Sequence, residues 1–173
     1  MLFRSEGAAP APSVAHVTSA HSESFLEATK VTPRRVLLAE DNVVNAKLAV
    51  RLLERLGCRI DVASNGHEAL KMVQSIPFDL VFMDCQMPEM DGFEATRAIR
   101  AWERTSRIEP SPATRLPIVA LTANAMQGDR ERCLEAGMDD YITKPLARAD
   151  LQRVLQNCPN AGTQPPSPAT IAK

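Results

Sequence analysis

The sequence predicts an α/β fold: a doubly wound, five-stranded parallel sheet with helices on both faces. Five short apolar runs alternate with five segments of helical periodicity over residues 34–157. Two of these runs, residues 36–39 and 118–121, contain only Val, Leu, Ile and Ala, as expected for parallel strands that are covered on both faces. Regular alternation of strands with helices is typical of a doubly wound sheet.

The first strand, residues 36–39, is followed by a helix predicted over residues 43–56. Four apolar residues at helical spacing predict its buried stripe, with Ala49 and Leu53 beside it. The members of this stripe are Val44, Leu48, Leu52 and Leu56. Asn42 is a suitable N-cap, and Gly57 suits a left-handed conformation at the end of the helix.

The remaining elements follow from the same patterns of apolar periodicity and turn residues. In chain order they are a strand at 58–63, a helix at 66–74, a strand at 79–83, a helix at 92–102, a strand at 118–121, a helix at 125–136, a strand at 141–143 and a helix at 147–156. Residues 103–115 are charged and include Pro110 and Pro112, which predicts a long exposed loop.

The two ends of the chain differ in composition from its centre. Residues 1–33 are rich in Ala, Pro, Ser, Thr and His, and residues 158–173 contain four prolines. Such segments bury too little apolar surface to offset the entropy of ordering. We therefore expect a disordered arm or interdomain linker over 1–33, a domain over 34–157 and a disordered tail over 158–173.

Composition narrows the class of protein further. The net charge of −1 predicts no bulk attraction to nucleic acid or to anionic membranes. No apolar run reaches the roughly 20 residues of a membrane span, and the first residues lack the apolar core of a secretory signal. Together these features predict a soluble, cytoplasmic protein without nucleic-acid or membrane contacts.

The four cysteines show no CxxC pair and no zinc-type spacing, which favours reduced thiols packed as small apolar residues. Cys85 follows Asp84 directly. Because successive side chains of a strand point to opposite faces, Cys85 is expected to pack in the core, away from the side of Asp84.

Polar residues stand where the predicted strands end. Glu40 and Asp41 follow the first strand, Asp84 the third, Thr122 the fourth and Lys144 the fifth. Ligands of open parallel sheets bind beyond the carboxyl ends of the strands, so these side chains are expected to converge. The three acids carry about −3, which Mg²⁺ and the lysine together would balance. The pattern predicts a site for a divalent metal and a phosphoryl group.

Four segments carry a family resemblance, and each lies at a strand end. Residues 36–45, 79–92, 117–126 and 136–145 resemble the receiver domain of two-component response regulators, and the likeness extends over about residues 34–156. The first and third segments are most similar to receivers of hybrid histidine kinases. The resemblance implies a flavodoxin-like (βα)5 fold with strand order 2-1-3-4-5, whose switch point lies between strands 1 and 3.

The resemblance also implies roles for the residues at the strand ends. Asp84 would accept a phosphoryl group from a phosphohistidine, assisted by Lys144 and Thr122. Asp41, Asp84 and the backbone carbonyl of Gln86 would bind Mg²⁺, with Glu40 acting through water. Mn²⁺ could substitute for Mg²⁺.

Signalling roles follow from the same resemblance. Thr122 and Tyr141 would move when the phosphoryl group arrives, and the face of helix 4, strand 5 and helix 5 would carry the output. The Lys144-Pro145 peptide is expected to be cis. Gln86 and Asn124, two residues after the acceptor and after Thr122, would tune hydrolysis to an intermediate phosphoryl lifetime.

The implied partner is a histidine kinase or a histidine phosphotransfer protein, and the domain would be a monomer or weak dimer. It would catalyse its own phosphorylation and dephosphorylation, without an external turnover substrate, as the receiver part of a hybrid histidine kinase. Alternatives are a stand-alone response regulator, a phosphorylation-independent binding module, a dehalogenase-type hydrolase and a flavin carrier. The hydrolase family has an acid where Gln86 stands, and paired acids at the first strand end would repel a flavin phosphate.

Overall fold

The computed structural model describes residues 33–106, 115–123 and 127–158, without the side chains of residues 127–129. Residues 1–32 and 159–173, nearly all of the predicted arm and tail, lie outside the described residues, as does Asn124. The elements in chain order are β1 (Arg35–Ala39), α1 (Val43–Glu54), β2 (Arg59–Ala63), α2 (Gly66–Ser75), β3 (Leu80–Asp84), α3 (Gly92–Ser106), β4 (Ile118–Thr122), α4 (Gln127–Ala136), β5 (Asp140–Thr143) and α5 (Arg148–Asn157).

The five strands form one parallel sheet in the order β2-β1-β3-β4-β5. This order confirms the predicted fold class and places β1 beside β3 at the centre of the sheet. Every residue of β3 and β4 is buried, whereas the edge strands β2 and β5 are largely half-exposed. No helix in the described part of the chain has the length and apolar character that crossing a membrane requires.

Two apolar cores lie on opposite faces of the sheet. Leu37, Val81 and Ala120 face the core shared with α2, α3 and α4. Their neighbours along the strands face a second core, which is shared with α1 and α5. The alternation of side chains along each strand thus explains why the central strands are apolar throughout.

The caps of α1 are as predicted, but only half of its predicted stripe packs against the sheet. The Asn42 side chain accepts hydrogen bonds from two N–H groups of the first turn, and Gly57 has a φ of +81°. The buried residues of α1 are Ala46, Ala49 and Leu53, whereas Val44 is 74% and Leu48 49% exposed. The prediction was wrong for Val44 and Leu48, whereas Leu52 and Leu56 pack, half-buried, against the second core. The helix carries more apolar residues than one face holds, and small alanines allow closer packing on the sheet.

The predicted loop over residues 103–115 is wrong at its start, because α3 continues to Ser106. Glu103 is buried, and its carboxylate bonds Arg100 one turn earlier at 2.8 Å. The other carboxylate oxygen accepts the Leu116 N–H at 2.9 Å. These partners compensate for the burial of a charge that the sequence alone suggested was solvated. Residues 107–114 lie outside the described part of the chain.

Arg100 is the centre of a polar cluster at the amino-terminal end of β4, which we call the Arg100 network. Its guanidinium donates to the carbonyls of Gly137 and Leu116, and to the carboxylates of Glu103 and Asp139. Asp139 also accepts the Ile118 N–H at 2.8 Å. The network therefore joins the end of α3 to the start of β4 and to the connection between α4 and β5.

Candidate functional site

The parallel sheet brings the predicted site residues to one edge. Glu40 and Asp41 directly follow β1, Asp84 ends β3, Thr122 ends β4, and Lys144 directly follows β5. All of these strands run in the same direction, so their carboxyl ends meet at this edge. The predicted convergence is therefore observed in the structure.

Three acids form a cluster at the centre of this edge. One carboxylate oxygen each from Glu40, Asp41 and Asp84 lie within 4.8 Å of one another. Glu40 is 3% and Asp84 5% exposed, whereas Asp41 is exposed. The cluster is thus buried on the side of the sheet and open to solvent on the side of Asp41. Hard carboxylate oxygens in this arrangement suit a divalent cation such as Mg²⁺.

The ammonium group of Lys144 bridges the two buried acids. Its Nζ donates to Glu40 Oε2 and to Asp84 Oδ2, each at 2.6 Å. The Lys144-Pro145 peptide is cis, as predicted. One positive charge therefore faces three negative ones, and the group retains a net negative charge that an additional cation would offset.

The remaining oxygens of the two buried carboxylates also have donors. The Asn45 side chain donates to Glu40 Oε1 at 3.0 Å, and the Gln86 backbone N–H donates to Asp84 Oδ1 at 3.2 Å. Sequence reasoning did not single out Asn45 as a site residue. Its position in the first turn of α1, one turn after Asp41, was the available signal.

Burial dominates the ionisation of Asp84. It raises the pKa of this carboxyl above the ordinary value, an effect reinforced by the negative charge of Glu40 and opposed by the hydrogen bonds from Lys144 and Gln86. For Lys144, burial alone would lower the pKa, but the hydrogen bonds and charges of Asp84 and Glu40 outweigh it and raise the pKa. Lys144 is therefore a fixed positive charge at neutral pH.

Thr122 and Tyr141 lie on adjacent strands of the sheet, β4 and β5. Thr122 is 6% exposed, and its carbonyl accepts the Lys144 backbone N–H at 2.8 Å. Tyr141 pairs with Ala120 across the sheet and packs, half-buried, against the core shared with α2, α3 and α4. The structure thus places Thr122 at the edge that carries the acids and Tyr141 on the neighbouring strand, whereas Asn124 lies outside the described residues.

Close packing fixes the segment that follows Asp84. A side chain at Gly92 would place its Cβ 2.0 Å from the Asp84 carbonyl oxygen, so glycine is required there. Asp91 caps α3 by accepting the Glu94 N–H at 2.7 Å. Glu89 adopts a φ of +68°, and the Met90 N–H bonds the Pro88 carbonyl across it. This strained γ-turn was not apparent from the sequence.

A cavity of about 560 Å³ adjoins the acids. It lies between the segment after β3, the end of β4 and α4. Its lining includes Asp41, Gln86, Thr122, Cys85 and Arg132. The cavity thus opens beside Asp41, the exposed member of the acid cluster.

Comparison with known proteins agrees with this geometry. Residues 36–156 match the family model described as the response regulator receiver domain. Hybrid signal transduction histidine kinase B of Dictyostelium discoideum is 48% identical over 120 residues, which cover 68% of this chain and 6% of that protein. Sensor histidine kinase GacS of Pseudomonas protegens is 47% identical over 121 residues, which cover 70% of this chain and 13% of that protein. The chain therefore spans a small part of these relatives.

Solved structures give the same result. The receiver domain of sensor histidine kinase PA1611 from Pseudomonas aeruginosa PAO1, with magnesium in its active-site cleft, is 45% identical with a TM-score of 0.63, covering 73% of this chain and 97% of that one. A co-crystal structure of the Saccharomyces cerevisiae phosphotransfer protein Ypd1 with the Ssk1 receiver domain matches at 33% identity and a TM-score of 0.66, covering 73% and 88%. By sequence and by fold, the chain belongs to the response regulator receiver domain family.

Proposed function

We propose that this chain accepts a phosphoryl group from a phosphohistidine onto Asp84, as the receiver step of a phosphorelay. The observation that carries the proposal is the pair of hydrogen bonds by which Lys144 joins Asp84 to Glu40, next to Asp41. A buried carboxylate with a lysine on one oxygen and further acids within 4.8 Å suits a nucleophile that works beside a metal. Membership of the receiver family supports the same role.

The acids fit Mg²⁺, and Mn²⁺ has the same preference for oxygen ligands. Asp41, Asp84 and the Gln86 carbonyl would hold the ion, and Glu40 would act through a bound water. The net negative charge of the cluster favours a cation, and the related PA1611 receiver contains magnesium in its cleft. When bound, the ion supplies positive charge to the acids and to the phosphoryl oxygens.

Asp84 attacks phosphorus through a carboxylate oxygen, so an O–P bond forms while the P–N bond to the donor imidazole breaks. Phosphoryl transfer depends chiefly on in-line positioning and charge neutralisation. Lys144 is placed to balance charge on the equatorial oxygens, because its Nζ lies 2.6 Å from Asp84 Oδ2. Thr122 ends the neighbouring strand, and its hydroxyl is suited to hydrogen-bond a phosphoryl oxygen.

The proposed switch follows from the position of Thr122. Movement of Thr122 toward the phosphoryl group draws in the segment that leads to α4, and Tyr141 follows. The face formed by α4, β5 and α5 then presents the output. Gln86 and Asn124 carry amides, which orient water but are poor bases, so the phosphoryl group has an intermediate lifetime. The activity is self-directed, with no external turnover substrate.

The exposed face of α1 supports docking of a histidine-bearing partner. Val43, Val44 and Leu48 are 64%, 74% and 49% exposed, and they lie on the helix that begins two residues after Asp41. A neighbouring apolar surface would hold a donor histidine near the open side of the site. The partner is a histidine kinase or phosphotransfer protein, consistent with the Ypd1 complex of a related receiver.

Similarity to segments of larger histidine kinases supports a role as the receiver part of a hybrid kinase. A stand-alone response regulator is the alternative. In either case we propose a monomer or weak dimer, with a domain over residues 34–157. The cytoplasmic location stays a prediction from the sequence.

Intact mass after incubation with acetyl phosphate and Mg²⁺ tests the proposal. The wild type should gain one phosphoryl mass, and Asp84→Asn should gain none. Asp61→Asn is the matched control, because Asp61 lies in β2 and pairs with Arg35 rather than with the site. It should be phosphorylated like the wild type, and chelation of Mg²⁺ should abolish the gain in both proteins.

Absence of a phosphoryl gain in folded wild-type protein would contradict the proposal. The phosphorylation-independent binding module would then be the better description. Phosphorylation of Asp84→Asn at the wild-type rate would instead assign the acceptor to another residue. The dehalogenase-type hydrolase and flavin-carrier alternatives are set aside, because the family assignment includes neither.

A further inference from the structure

Two thiols meet directly beside the proposed acceptor. Cys85 follows Asp84 at the end of β3, and Cys133 lies in α4. Their Sγ atoms are 4.0 Å apart, and the two residues are 5% and 2% exposed. A disulfide bond is about 2.05 Å long, so closure requires the sulfurs to approach by roughly 2 Å. The predicted packing of Cys85 in the core is confirmed, but its neighbour could not be predicted.

Backbone hydrogen bonds to neighbouring elements fix the position of Cys85, whereas Cys133 lies on a helix that is held by side-chain packing. The Cys85 N–H bonds the Leu121 carbonyl at 3.0 Å, and its carbonyl accepts the Gly92 N–H at 3.2 Å. Cys85 is thus fixed between β4 and the start of α3. Cys133 is carried by α4, which packs on the sheet through its side chains. Helix shifts of 1–2 Å are a common element of conformational change, so α4 is the element that would move.

A small oxidant has a route to this pair. Cys85 lines the cavity beside the acids, together with Gln86, Thr122 and Arg132, the neighbour of Cys133 in the chain. The two acids of the lining, Asp41 and Asp91, outweigh its cation Arg132 and disfavour an anionic oxidant such as oxidised glutathione. A neutral hydroperoxide is small enough and uncharged, so it is the chemical class that the cavity admits.

We propose that a hydroperoxide such as hydrogen peroxide links Cys85 and Cys133 in a disulfide, and that this bond slows phosphorylation of Asp84. The Cys85 thiol loses its proton, the thiolate attacks the O–O bond of hydrogen peroxide, and the proton passes to the departing hydroxide, which gives a sulfenic acid and one water. The Cys133 thiol then attacks that sulfur and expels the second water. Two thiols lose two protons and two electrons in total, and the peroxide is reduced to two waters.

The bond would act on the site through α4. It ties α4 to the end of β3 and narrows the cavity that Cys85 shares with Gln86 and Thr122. The segment after Thr122 leads directly to α4, so a fixed helix restrains the movement of Thr122 toward the phosphoryl group. This second part of the inference rests on the proposed function, whereas formation of the bond does not.

Peptide mapping after peroxide treatment and alkylation tests the bond. The expected product is a cross-linked pair of peptides that contain Cys85 and Cys133, together with an intact mass lower by two hydrogens. Cys85→Ala and Cys133→Ala should each abolish it. Cys58→Ala and Cys158→Ala are the matched controls and should retain it, because these residues belong to the opposite core. Urea unfolding of each variant establishes that it is folded.

Phosphorylation by acetyl phosphate tests the consequence. The initial rate of the oxidised wild type should fall about tenfold, within the usual range of coupling between two sites, and a reductant should restore it. The rate of Cys133→Ala should not respond to peroxide. Absence of the cross-link in folded protein, or a cross-link that leaves the rate unchanged, would overturn the inference. If the reduced protein accepts no phosphoryl group, both the proposed function and the proposed effect on its rate are wrong. The peptide map still shows in that case whether the disulfide bond forms.

Discussion

The two ends of the sheet differ in how they accommodate buried charge. At the carboxyl end, the carboxylates of Glu40 and Asp84 share one ammonium group, and Asp41 adds a third negative charge. At the amino end, Arg100 pairs with Glu103 and Asp139 in the Arg100 network, and Arg115, which lies beside the network, also pairs with Asp139 at 3.1 Å. Opposite charges are thus equal in number in this cluster. The charges of the cluster at the amino end therefore balance one another, whereas the cluster at the carboxyl end carries excess negative charge.

This difference distinguishes the end of the sheet that stabilises the fold from the end that carries the proposed site. The Arg100 guanidinium bonds two carbonyls and two carboxylates, which satisfies a buried cation and joins α3 to β4. The pKa of Asp84 is raised by burial despite its bond to Lys144, which means that the folded state disfavours its charge. A site that is unfavourable when empty gains most when a cation or a phosphoryl group binds.

The largest expected effect is loss of the Arg100 network. Arg100→Met leaves the buried Glu103 without its guanidinium partner, and breaking a buried pair in this way costs about 3–5 kcal/mol. Urea unfolding measures the change. Arg153→Ala is the control, because Arg153 bonds Asp140 at the surface with 47% of its side chain exposed, where pairs contribute under about 1 kcal/mol. Equal costs for both variants would mean that the Arg100 network contributes no more to stability than a surface ion pair.

Local patterns predicted the sheet and the proposed site, but not the Arg100 network. The strand at 118–121 is predicted to be buried because it is wholly apolar. Asp84 and Lys144 are conspicuous because each stands at the end of an apolar run. Arg100 instead bonds Leu116 and Asp139, 16 and 39 residues later. Helical periodicity does not reveal such partners, so a buried Glu103 resembled a solvated loop acid.

Ambiguity within one element explains the other errors. The apolar residues of α1 fit two overlapping stripes, and the sequence does not decide which one meets the sheet. In the structure, Ala46 and Ala49 are buried against the sheet, whereas Val44 is exposed to solvent. Similarly, the bond from Asn45 to Glu40 depends on where α1 stands relative to β1, which is a tertiary property.

Magnesium provides the second test, because it should stabilise one end of the sheet alone. An ion at 100 times its dissociation constant stabilises the folded state by about 2.7 kcal/mol through mass action. Urea unfolding of the wild type with Mg²⁺ and with a chelator measures this difference. Arg100→Met should gain the same increment, since its change lies at the opposite end. Asp41→Asn should gain less, and an equal gain there would place the ion elsewhere.

Replacing a carboxylate by an amide should change the free energy of unfolding in opposite directions at the two ends of the sheet. Asp84→Asn removes a charge that the fold disfavours, and Lys144 keeps Glu40 as its partner, so this variant should be more stable than the wild type. Glu103→Gln removes the charge that Arg100 requires and should destabilise. Urea unfolding without divalent metal compares the two variants at neutral pH. Destabilisation by Asp84→Asn would mean that Lys144 fully compensates the acids.

The smallest expected effect is the pH dependence of these differences. Burial raises the pKa of Asp84 above its unfolded value of 3.8, so its destabilising charge is fully present above the folded pKa and disappears as the pH falls toward the unfolded value. The advantage of Asp84→Asn over the wild type should therefore shrink on acidification in metal-free buffer.

Asp61 should behave oppositely, because its hydrogen bond from Arg35 lowers its pKa. Its stabilising contribution is present above 3.8 and is lost as the pH falls through the folded pKa, so Asp61→Asn should cost less in acid than at neutral pH. Urea midpoints of the two variants and the wild type between pH 7 and the acid range, compared pairwise, measure both trends. Parallel trends for Asp84→Asn and Asp61→Asn would contradict the assignment of unfavourable charge to the carboxyl end alone.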